Sequence, residues 1–256
     1  MQKTRIALLL LSIAFVLSCS GKQGSKYSET FDADKTFAKA NELMEKKDYE
    51  EARTAFLEVK NRDLTKKYAP LAQLRIADSY TKEEEPEKAI DEYRRFLEIY
   101  PEHKYAAYAQ YQIGAIYFNQ IESSERGYGA AAKALEEFEK LKKLFPRNPY
   151  REVLETRIEK CKDTIADYEF IVGTFYYKKD SYDAAITRFQ SVLKKFPGFR
   201  KEPEVMYHLG MSYKKRGEKD KAIEYFNMLI EKYPKNSLVS DAKKELTSIN
   251  KNSSKK

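Results

Sequence analysis

Two cysteines and two histidines are the side chains of this 256-residue chain best suited to nucleophilic or metal chemistry. His103 closely follows Pro101, which ends a predicted helix, and His208 lies inside another, so they do not form a metal-ligand pair at helical spacing. None of the nine glycines belongs to a phosphate-binding loop or a nucleophile elbow. We therefore predict a protein that is not an enzyme and that uses no metal or cofactor.

Cys161 is predicted to be a core residue. It falls at helical spacing with Ile158 and Ile165, and cysteine is often buried as a small hydrophobic side chain. A reactive or intermolecular thiol is the alternative.

Cys19 is the residue whose surroundings indicate covalent chemistry. Two basic residues precede an apolar run from Ile6 to Leu17, which is too short to span a bilayer and has the layout of a secretory signal. Cysteine at the cleavage point is typical of a bacterial lipobox, although Leu17 is bulkier than usual there. We expect residues 1–18 to be a lipoprotein signal peptide and acylated Cys19 to hold the chain on a membrane. An ordinary signal peptide is the alternative.

The composition indicates a charged helical body. Charged residues make up 34% of the chain and aromatic residues 13%, with no tryptophan, so the core must be built from alanine, leucine, tyrosine and phenylalanine. Without residues 1–18 the chain has 46 basic and 40 acidic side chains, a net charge of +6. Because acidic residues are interleaved throughout, we expect no nucleic-acid partner.

A helix-pair pattern recurs five times between residues 34 and 235. In each copy a small residue begins one anchor, and an alanine with an aromatic ring four positions later forms a second. The small residues are Ala40, Ala77, Gly114, Gly173 and Gly210, and the rings are Phe56, Tyr93, Phe138, Phe189 and Phe226. These spacings let two antiparallel helices approach closely, and they resemble the tetratricopeptide repeat. The resemblance implies an all-α fold, an α-solenoid of five helix pairs with a C-terminal capping helix, which usually binds rather than catalyses.

The positions of prolines, glycines and apolar segments along the chain predict its domain organisation. We expect a lipidated tether at 19–33, repeats one to three at 34–148, a long connecting helix with repeats four and five and the capping helix at 149–250, and a disordered tail at 251–256. No proline interrupts the segment between Pro149 and Lys178, which predicts one helix of about 29 residues joining the two groups rigidly. Eight extra residues around 121–129 predict a protruding loop in repeat three.

The inner face of the first helices is the candidate binding surface. In repeats one to three its positions include Phe37, Asn41, Met44, Leu74, Asp78, Tyr108, Tyr111, Phe118 and Asn119. The rings are more numerous than a water-facing surface requires, which predicts a groove for an aromatic-containing peptide. Packing of these rings against neighbouring repeats or the amino-terminal segment is an equal alternative. Because Phe37 and Tyr108 occupy two positions of the usual carboxylate clamp, we expect no such clamp, with Arg75 as the possible substitute.

The order of these features is similar to that of the BamD (ComL) family of outer-membrane lipoproteins, over residues 19 to about 250. The residues that carry the resemblance are Tyr111 to Gly114 with Tyr117, Ala134 with Phe138, Phe145 with Pro146, and Tyr168 to Gly173 with Tyr176 and Tyr177. It implies a non-catalytic subunit of the outer-membrane β-barrel assembly machine, anchored by lipid on the periplasmic face of the outer membrane. Ser20 after the cysteine, rather than aspartate, favours that membrane by enterobacterial sorting rules.

The resemblance also implies two protein partners. The amino-terminal repeats would receive unfolded outer-membrane β-barrel clients, and the carboxy-terminal repeats would dock on a POTRA domain of a BamA-like barrel protein. Arg188, in the second helix of repeat four, matches an arginine of that docking surface, and an ordinary surface salt bridge is its alternative role. The alternative is that the chain is another envelope repeat lipoprotein, such as a pilus-secretin pilotin or a scaffold for cell-wall enzymes. A weaker alternative is a protein that regulates an enzyme and binds no client peptide.

Overall fold

Eleven α-helices form the regular secondary structure of residues 31–253, which are the residues that the computed structural model describes. The helices are α1 (Ala33–Lys46), α2 (Tyr49–Arg62), α3 (Ala69–Lys82), α4 (Pro86–Ile99), α5 (Ala106–Asn119), α6 (Tyr128–Leu144), α7 (Arg151–Lys178), α8 (Tyr182–Lys195), α9 (Glu202–Arg216), α10 (Lys219–Lys232) and α11 (Leu238–Ser253). The predicted signal peptide, Cys19 and tether residues 19–30 lie outside the described residues. No helix in the described part of the chain has both the length and the apolar character needed to cross a membrane.

Consecutive helices pack antiparallel as five pairs, and the small and aromatic anchors meet inside each pair. All five anchor rings are buried. A methyl group on Gly173 would lie only 2.6 Å from the ring of Phe189, and Gly114 and Gly210 are equally close to their partner rings. Because only a small residue permits this approach, the pattern fixes the helix pairing. The predicted all-α solenoid of five tetratricopeptide-like pairs is confirmed.

Proline follows four of the five second helices and also begins one of them. Pro86 occupies the first turn of α4, where its fixed backbone angle and missing N–H do no harm. Pro101, Pro146, Pro197 and Pro234 follow the ends of α4, α6, α8 and α10. A proline there cannot continue the helix, so the chain turns back into the next repeat.

Helix α7 runs without interruption for 28 residues, or about 42 Å at 1.5 Å per residue. Its first half packs with α6 around Leu154 and Ile158, and its second half packs with α8 around Ala166 and Phe189. It starts at Arg151 rather than Pro149, because the side chain of Asn148 accepts a hydrogen bond from the Tyr150 backbone N–H at 2.9 Å. One helix therefore belongs to both repeat three and repeat four.

The extra residues of repeat three form the turns between α5 and α6. Ile121 packs against the core of α6 and α7, and the Gly127 N–H donates to the Ser123 carbonyl at 2.6 Å. The segment is thus attached to the repeat by an apolar contact at its start.

Helix α11 covers the last repeat, with Ala242 and Ile249 buried in the same cluster as Leu229. It continues to Ser253, so the predicted disordered tail at 251–256 is wrong for residues 251–253, and residues 254–256 lie outside the described part. The reason is that no glycine or proline follows Ile249 to end the helix. From Ala33 onward the chain forms one compact unit.

Candidate binding groove

A groove with a volume of about 470 Å³ opens among the first three repeats. It is lined by Asn41, Met44, Glu45, Lys47, Tyr49, Arg75, Asp78, Thr81, Lys82, Tyr93, Tyr108 and Gln112. These residues come from α1 to α5 and from the turn between α1 and α2. Helical repeats of fixed pairing therefore hold every wall of the groove.

Asp78 lies at the centre of a hydrogen-bonded cluster in this groove. The hydroxyl of Tyr93 donates to its Oδ1 at 2.7 Å, and the hydroxyl of Tyr108 donates to the same oxygen at 2.8 Å. Arg75 forms an ion pair with Oδ2 at 3.2 Å. Three separate helices thus contribute to one carboxylate, which fixes the relative positions of the groove walls.

Both tyrosines keep their protons at neutral pH. Burial is the first cause, with the negative charge of Asp78 second, and together they raise the pKa of Tyr108 to about 12. The same two causes raise the pKa of Tyr93 still further. Each phenol therefore acts as a donor to Asp78 and leaves its oxygen able to accept a hydrogen bond from a ligand.

Cations outnumber carboxylates around the groove. Lys47, Arg75 and Lys82 line it together with the two carboxylates Glu45 and Asp78. Amide side chains from Asn41 and Gln112 add donors and acceptors suited to an extended backbone. The groove can receive a carboxylate, although its cations stand at positions other than those of the usual clamp.

Four of the nine residues predicted for a peptide groove line this one: Asn41, Met44, Asp78 and Tyr108. The amide of Asn41 also donates to the Phe37 carbonyl at 2.9 Å, which orients its oxygen. These four residues come from three different helices, as the repeat numbering implied.

Phe37 and Leu74 do not line the groove. The ring of Phe37 packs edge-on against Phe56 at 5.4 Å and stacks on Tyr68 at 5.0 Å between centroids. Leu74 is a buried member of the core around α3 to α5. Both side chains therefore pack against other parts of the repeats, as in the alternative to a peptide groove.

Tyr111, Phe118 and Asn119 lie on α5 away from the groove. Tyr111 stacks on Tyr150, with 4.0 Å between the ring centroids. The guanidinium of Arg157 lies 5.3 Å from the centre of the Tyr111 ring and 5.0 Å from that of Phe118. Asn119 is exposed at the end of its helix. The two rings therefore join α5 to the start of α7 rather than face the groove.

Eight of the twelve residues that line the groove were not among the nine predicted, and Tyr93 is the one that bonds to Asp78 from the anchor position. It occupies the anchor-ring position of repeat two, where all four other repeats have phenylalanine. Its hydroxyl is the atom that reaches Asp78. A single hydroxyl among five equivalent buried rings was the available signal, because such a group requires a polar partner.

Arg188 lies on α8 and forms an ion pair with Glu169 of α7. Its Nη1 lies 3.2 Å from Oε1 and 3.0 Å from Oε2 of that carboxylate. The side chain of Glu169 is 10% exposed and that of Arg188 is 42% exposed. Hydrogen bonding to Glu169 is the main cause that raises the pKa of Arg188. One edge of the guanidinium is thus held by the salt bridge while much of the side chain faces solvent.

The remaining chemistry-bearing residues are packed. Within residues 31–253 no three histidine, cysteine or acidic side chains are grouped as metal ligands. Cys161 is buried, and burial raises the pKa of its thiol to about 12. The ring of His208 is packed among four aromatic rings.

Sequence comparison connects this geometry to known proteins. A family model described as "YfiO: Outer membrane lipoprotein" matches residues 30–225. The outer membrane protein assembly factor BamD of Neisseria meningitidis serogroup B is 27% identical over 223 residues, covering 81% of this chain and 84% of the relative. BamD of Rickettsia prowazekii is 27% identical over 214 residues, covering 83% and 85%.

Solved structures with similar folds include tetratricopeptide-repeat proteins. The TPR2AB domain of yeast Sti1 has a TM-score of 0.44 at 18% identity, covering 79% of this chain and 78% of that one. The P58(IPK) TPR domain has a TM-score of 0.43 at 16% identity, covering 86% and 56%.

Proposed function

This chain belongs to the YfiO family of outer membrane lipoproteins, and we propose that it is a non-catalytic subunit of the outer-membrane β-barrel assembly (BAM) machinery. In this proposal acylated Cys19 holds the protein on the periplasmic face of the outer membrane. The amino-terminal repeats bind unfolded β-barrel clients, and the carboxy-terminal repeats bind a BamA-like partner through its POTRA domain.

The groove around Asp78 is the observation that supports client binding. Tyr93 and Tyr108 offer phenol oxygens, while Asn41 and Gln112 offer amides, so an extended peptide backbone finds both donors and acceptors. Lys47, Arg75 and Lys82 supply positive charge for a terminal carboxylate. We infer that the ligand is an extended segment with an aromatic residue near a free carboxyl end.

Peptide titration tests the groove. Calorimetry would compare a barrel-signal peptide that has a free carboxylate with the same peptide amidated, using the chain from Ser20 onward. We expect Lys82→Ala and Tyr108→Ala each to weaken binding about tenfold, corresponding to roughly 1.4 kcal/mol. Tyr111→Ala, which lies outside the groove, is the matched control. Equal losses in Tyr108→Ala and Tyr111→Ala, with both variants folded, would reject this site.

Arg188 is the proposed docking residue on the other half. Substitution by alanine removes a charge from an exposed position and frees Glu169, so recovery of the POTRA-domain barrel from crosslinked envelopes should fall several-fold. Arg95→Ala is the control, since Arg95 pairs with Glu92 on its own helix. Mass spectrometry of the captured partners decides the wider role. Recovery of pilus or cell-wall proteins in place of a barrel would favour a different envelope function.

The membrane anchor has its own test. Cys19→Ser removes the proposed acylation site and should release the protein from the outer-membrane fraction into the soluble periplasm. Retention of this variant in the membrane, with the amino-terminal segment cleaved, would show that acylation is not what holds it.

A further inference from the structure

The turns of the first three repeats lie on two opposite edges, because consecutive helices are antiparallel. The interrepeat edge consists of the last turns of α2, α4 and α6 with the turns that follow them, residues 59–68, 96–105 and 141–150. The intrarepeat edge consists of the last turns of α1, α3 and α5 with their turns, residues 43–48, 79–85 and 116–127. The two edges differ in charge and in apolar exposure.

The interrepeat edge is basic. Its three segments hold eight lysines and arginines against three aspartates and glutamates, a net charge of +5. The intrarepeat edge holds four basic residues against seven acidic ones, a net charge of −3. Burial lowers the pKa of His103, so this histidine does not add to the basic edge at neutral pH. Of these two edges, the interrepeat edge therefore carries the positive net charge, and Arg62, Lys67 and Lys142 on it also pair with acidic residues outside the counted segments.

Aliphatic side chains project from the same edge at or just after the end of the second helix in each repeat. Ile99 and Leu144 are the last residues of α4 and α6, and Leu64 follows the end of α2 by two residues. Their exposed fractions are 55%, 60% and 94%. Large hydrophobic side chains with comparable exposure are absent from the three intrarepeat segments, all of which lie in the described residues. Leu64 and Leu144 thus stand beside basic residues, whereas the segment of Ile99 holds one lysine and two glutamates.

The turn that carries Leu64 is held in one conformation. The buried carboxylate of Asp63 accepts hydrogen bonds from the Thr65 N–H at 3.1 Å and the Tyr68 N–H at 2.6 Å, and from the Thr65 hydroxyl. Lys66 adopts a left-handed backbone angle of 57°, which completes the turn. Burial alone would raise the pKa of Asp63, but these hydrogen bonds lower it overall. Leu64 is therefore exposed by an ordered turn.

We propose that the interrepeat edge of repeats one to three contacts an anionic phospholipid surface, with Leu64, Ile99 and Leu144 entering the headgroup region and the surrounding lysines and arginines binding the phosphates. Single aliphatic side chains within a basic surface match the interfacial layer of a membrane. Each lysine or arginine near such a surface adds to the attraction. This inference rests on the proposed lipid anchor at Cys19, which keeps the protein near a membrane.

The residue types favour lipid over a protein partner. Six of the eight cations on this edge are lysines. Lysine is depleted in the cores of protein interfaces, which are enriched in aromatic residues and arginine instead. The exposed aliphatic residues also come from three separate turns, whereas protein hot spots cluster in one packed pocket.

Vesicle flotation tests the proposal with the chain from Ser20 onward, which retains the whole compact unit and lacks both the apolar run and Cys19. The probes are vesicles of phosphatidylethanolamine with phosphatidylglycerol, and vesicles of phosphatidylethanolamine with phosphatidylcholine. We expect binding to the anionic vesicles only, with an affinity that falls as salt is raised.

Two variants and two matched controls locate the surface. Leu64→Ser with Leu144→Ser should lower the partition coefficient at least tenfold, while Ile171→Ser with Phe175→Ser, two apolar residues that are also exposed but lie on α7, should leave it unchanged. Lys66→Gln, Lys143→Gln and Arg147→Gln together should also lower it at least tenfold. Loss of three charges from the end of α7, the residue after it and α9, by Lys178→Gln, Lys179→Gln and Lys215→Gln, should change it less than threefold.

The outcomes separate this surface from the proposed assembly role. Absence of binding to anionic vesicles, or equal losses in variants and controls, would overturn the lipid surface and leave the barrel partner untouched, since no partner is present in the assay. Unchanged vesicle binding combined with loss of a captured protein in the edge variants would also overturn it, in favour of a protein occupant.

Discussion

Two junctions between repeats share the same residue spacing but differ in character. The junction in the first half forms an open polar groove, and the one in the second half forms a closed aromatic core. Arg75 and Gln112, each two residues before the small anchor of its repeat, line the groove. His208 holds that position in repeat five, and the ring centroids of Phe170 and Phe189 lie 5.6 and 5.4 Å from its own. One backbone pattern therefore builds either a binding surface or a core.

The anchor rings explain part of the difference. Tyr93 carries a hydroxyl that donates to Asp78, so this junction contains a polar cluster. Phe189 has no polar atom and packs directly against Gly173 and His208. One polar atom on a buried ring, with a carboxylate to accept its hydrogen bond, thus distinguishes the polar junction from the aromatic one.

The largest expected effect is the loss of an anchor ring from the closed junction. Phe189→Ala removes a fully buried ring that packs against Gly173, so we expect a loss of about 3–5 kcal/mol in the free energy of unfolding. Urea denaturation followed by circular dichroism measures it. A loss below about 1 kcal/mol would mean that this junction is loosely packed and does not differ from the groove junction as described.

The next effect tests how closely the helices approach. Gly173→Ala would place a methyl group 2.6 Å from the Phe189 ring, so we expect destabilisation of about 1–3 kcal/mol. In repeat two, alanine is already the small anchor, and Ala77→Gly should cost only about 1 kcal/mol through helix propensity. Thermal melts of both variants would detect the asymmetry, and a stabilised Gly173→Ala would contradict it.

Protonation of His208 should weaken the closed junction. Burial is the main cause that lowers the pKa of this histidine, and the charge of Lys178 adds to it. Since the unfolded chain binds the proton more tightly, stability is fully present above pH 6.5 and falls as the pH drops below that value. The slope for one proton is at most about 1.4 kcal/mol per pH unit.

The control for this pH dependence is His208→Phe, with urea unfolding measured between pH 7 and about pH 5, above the range where most carboxylates titrate. The variant should have a flatter profile than the wild-type chain, with His103 as the remaining titrating histidine. Identical profiles for the two proteins would show that His208 is freely hydrated.

The smallest expected change in stability lies in the groove. Tyr93→Phe removes one hydrogen bond to Asp78 while Tyr108 retains the other, so we expect a loss of no more than about 1 kcal/mol. Peptide affinity should change more than stability does, because the phenol oxygen is a groove atom. Calorimetry beside urea unfolding separates the two effects, and a stability loss above about 2 kcal/mol without a loss of peptide affinity would show that the Tyr93 hydroxyl serves only stability.

The repeat pattern made the fold predictable, because small residues, rings and prolines act locally on helix pairing and helix ends. The long helix was equally predictable, because a segment without proline up to Lys178 favours a single continuous helix such as α7. The end of α11 was misjudged because polar residues such as those at 251–253 are compatible with both a helix and a coil.

The binding face was only partly predictable. Asp78 and Tyr108, which were chosen by position numbering, line the groove, but that numbering could not show that Phe37 stacks on Tyr68 or that Tyr111 stacks on Tyr150. Those contacts join residues more than thirty positions apart, and they depend on the angle between repeats. The hydroxyl of Tyr93 was visible in the sequence, but its partner was defined only by packing.

Helix α7 also restricts how the length of this chain can change. Adding one residue near its midpoint would rotate everything after it by about 100° and move it by 1.5 Å along the axis, since an α-helix has 3.6 residues per turn. An insertion of seven residues would nearly restore the angle while adding about 10 Å. The length of a turn such as 120–127 does not set the rotation of the following helices in this way. The two halves of this solenoid therefore keep their relative orientation only when the length of α7 changes by nearly whole turns of the helix.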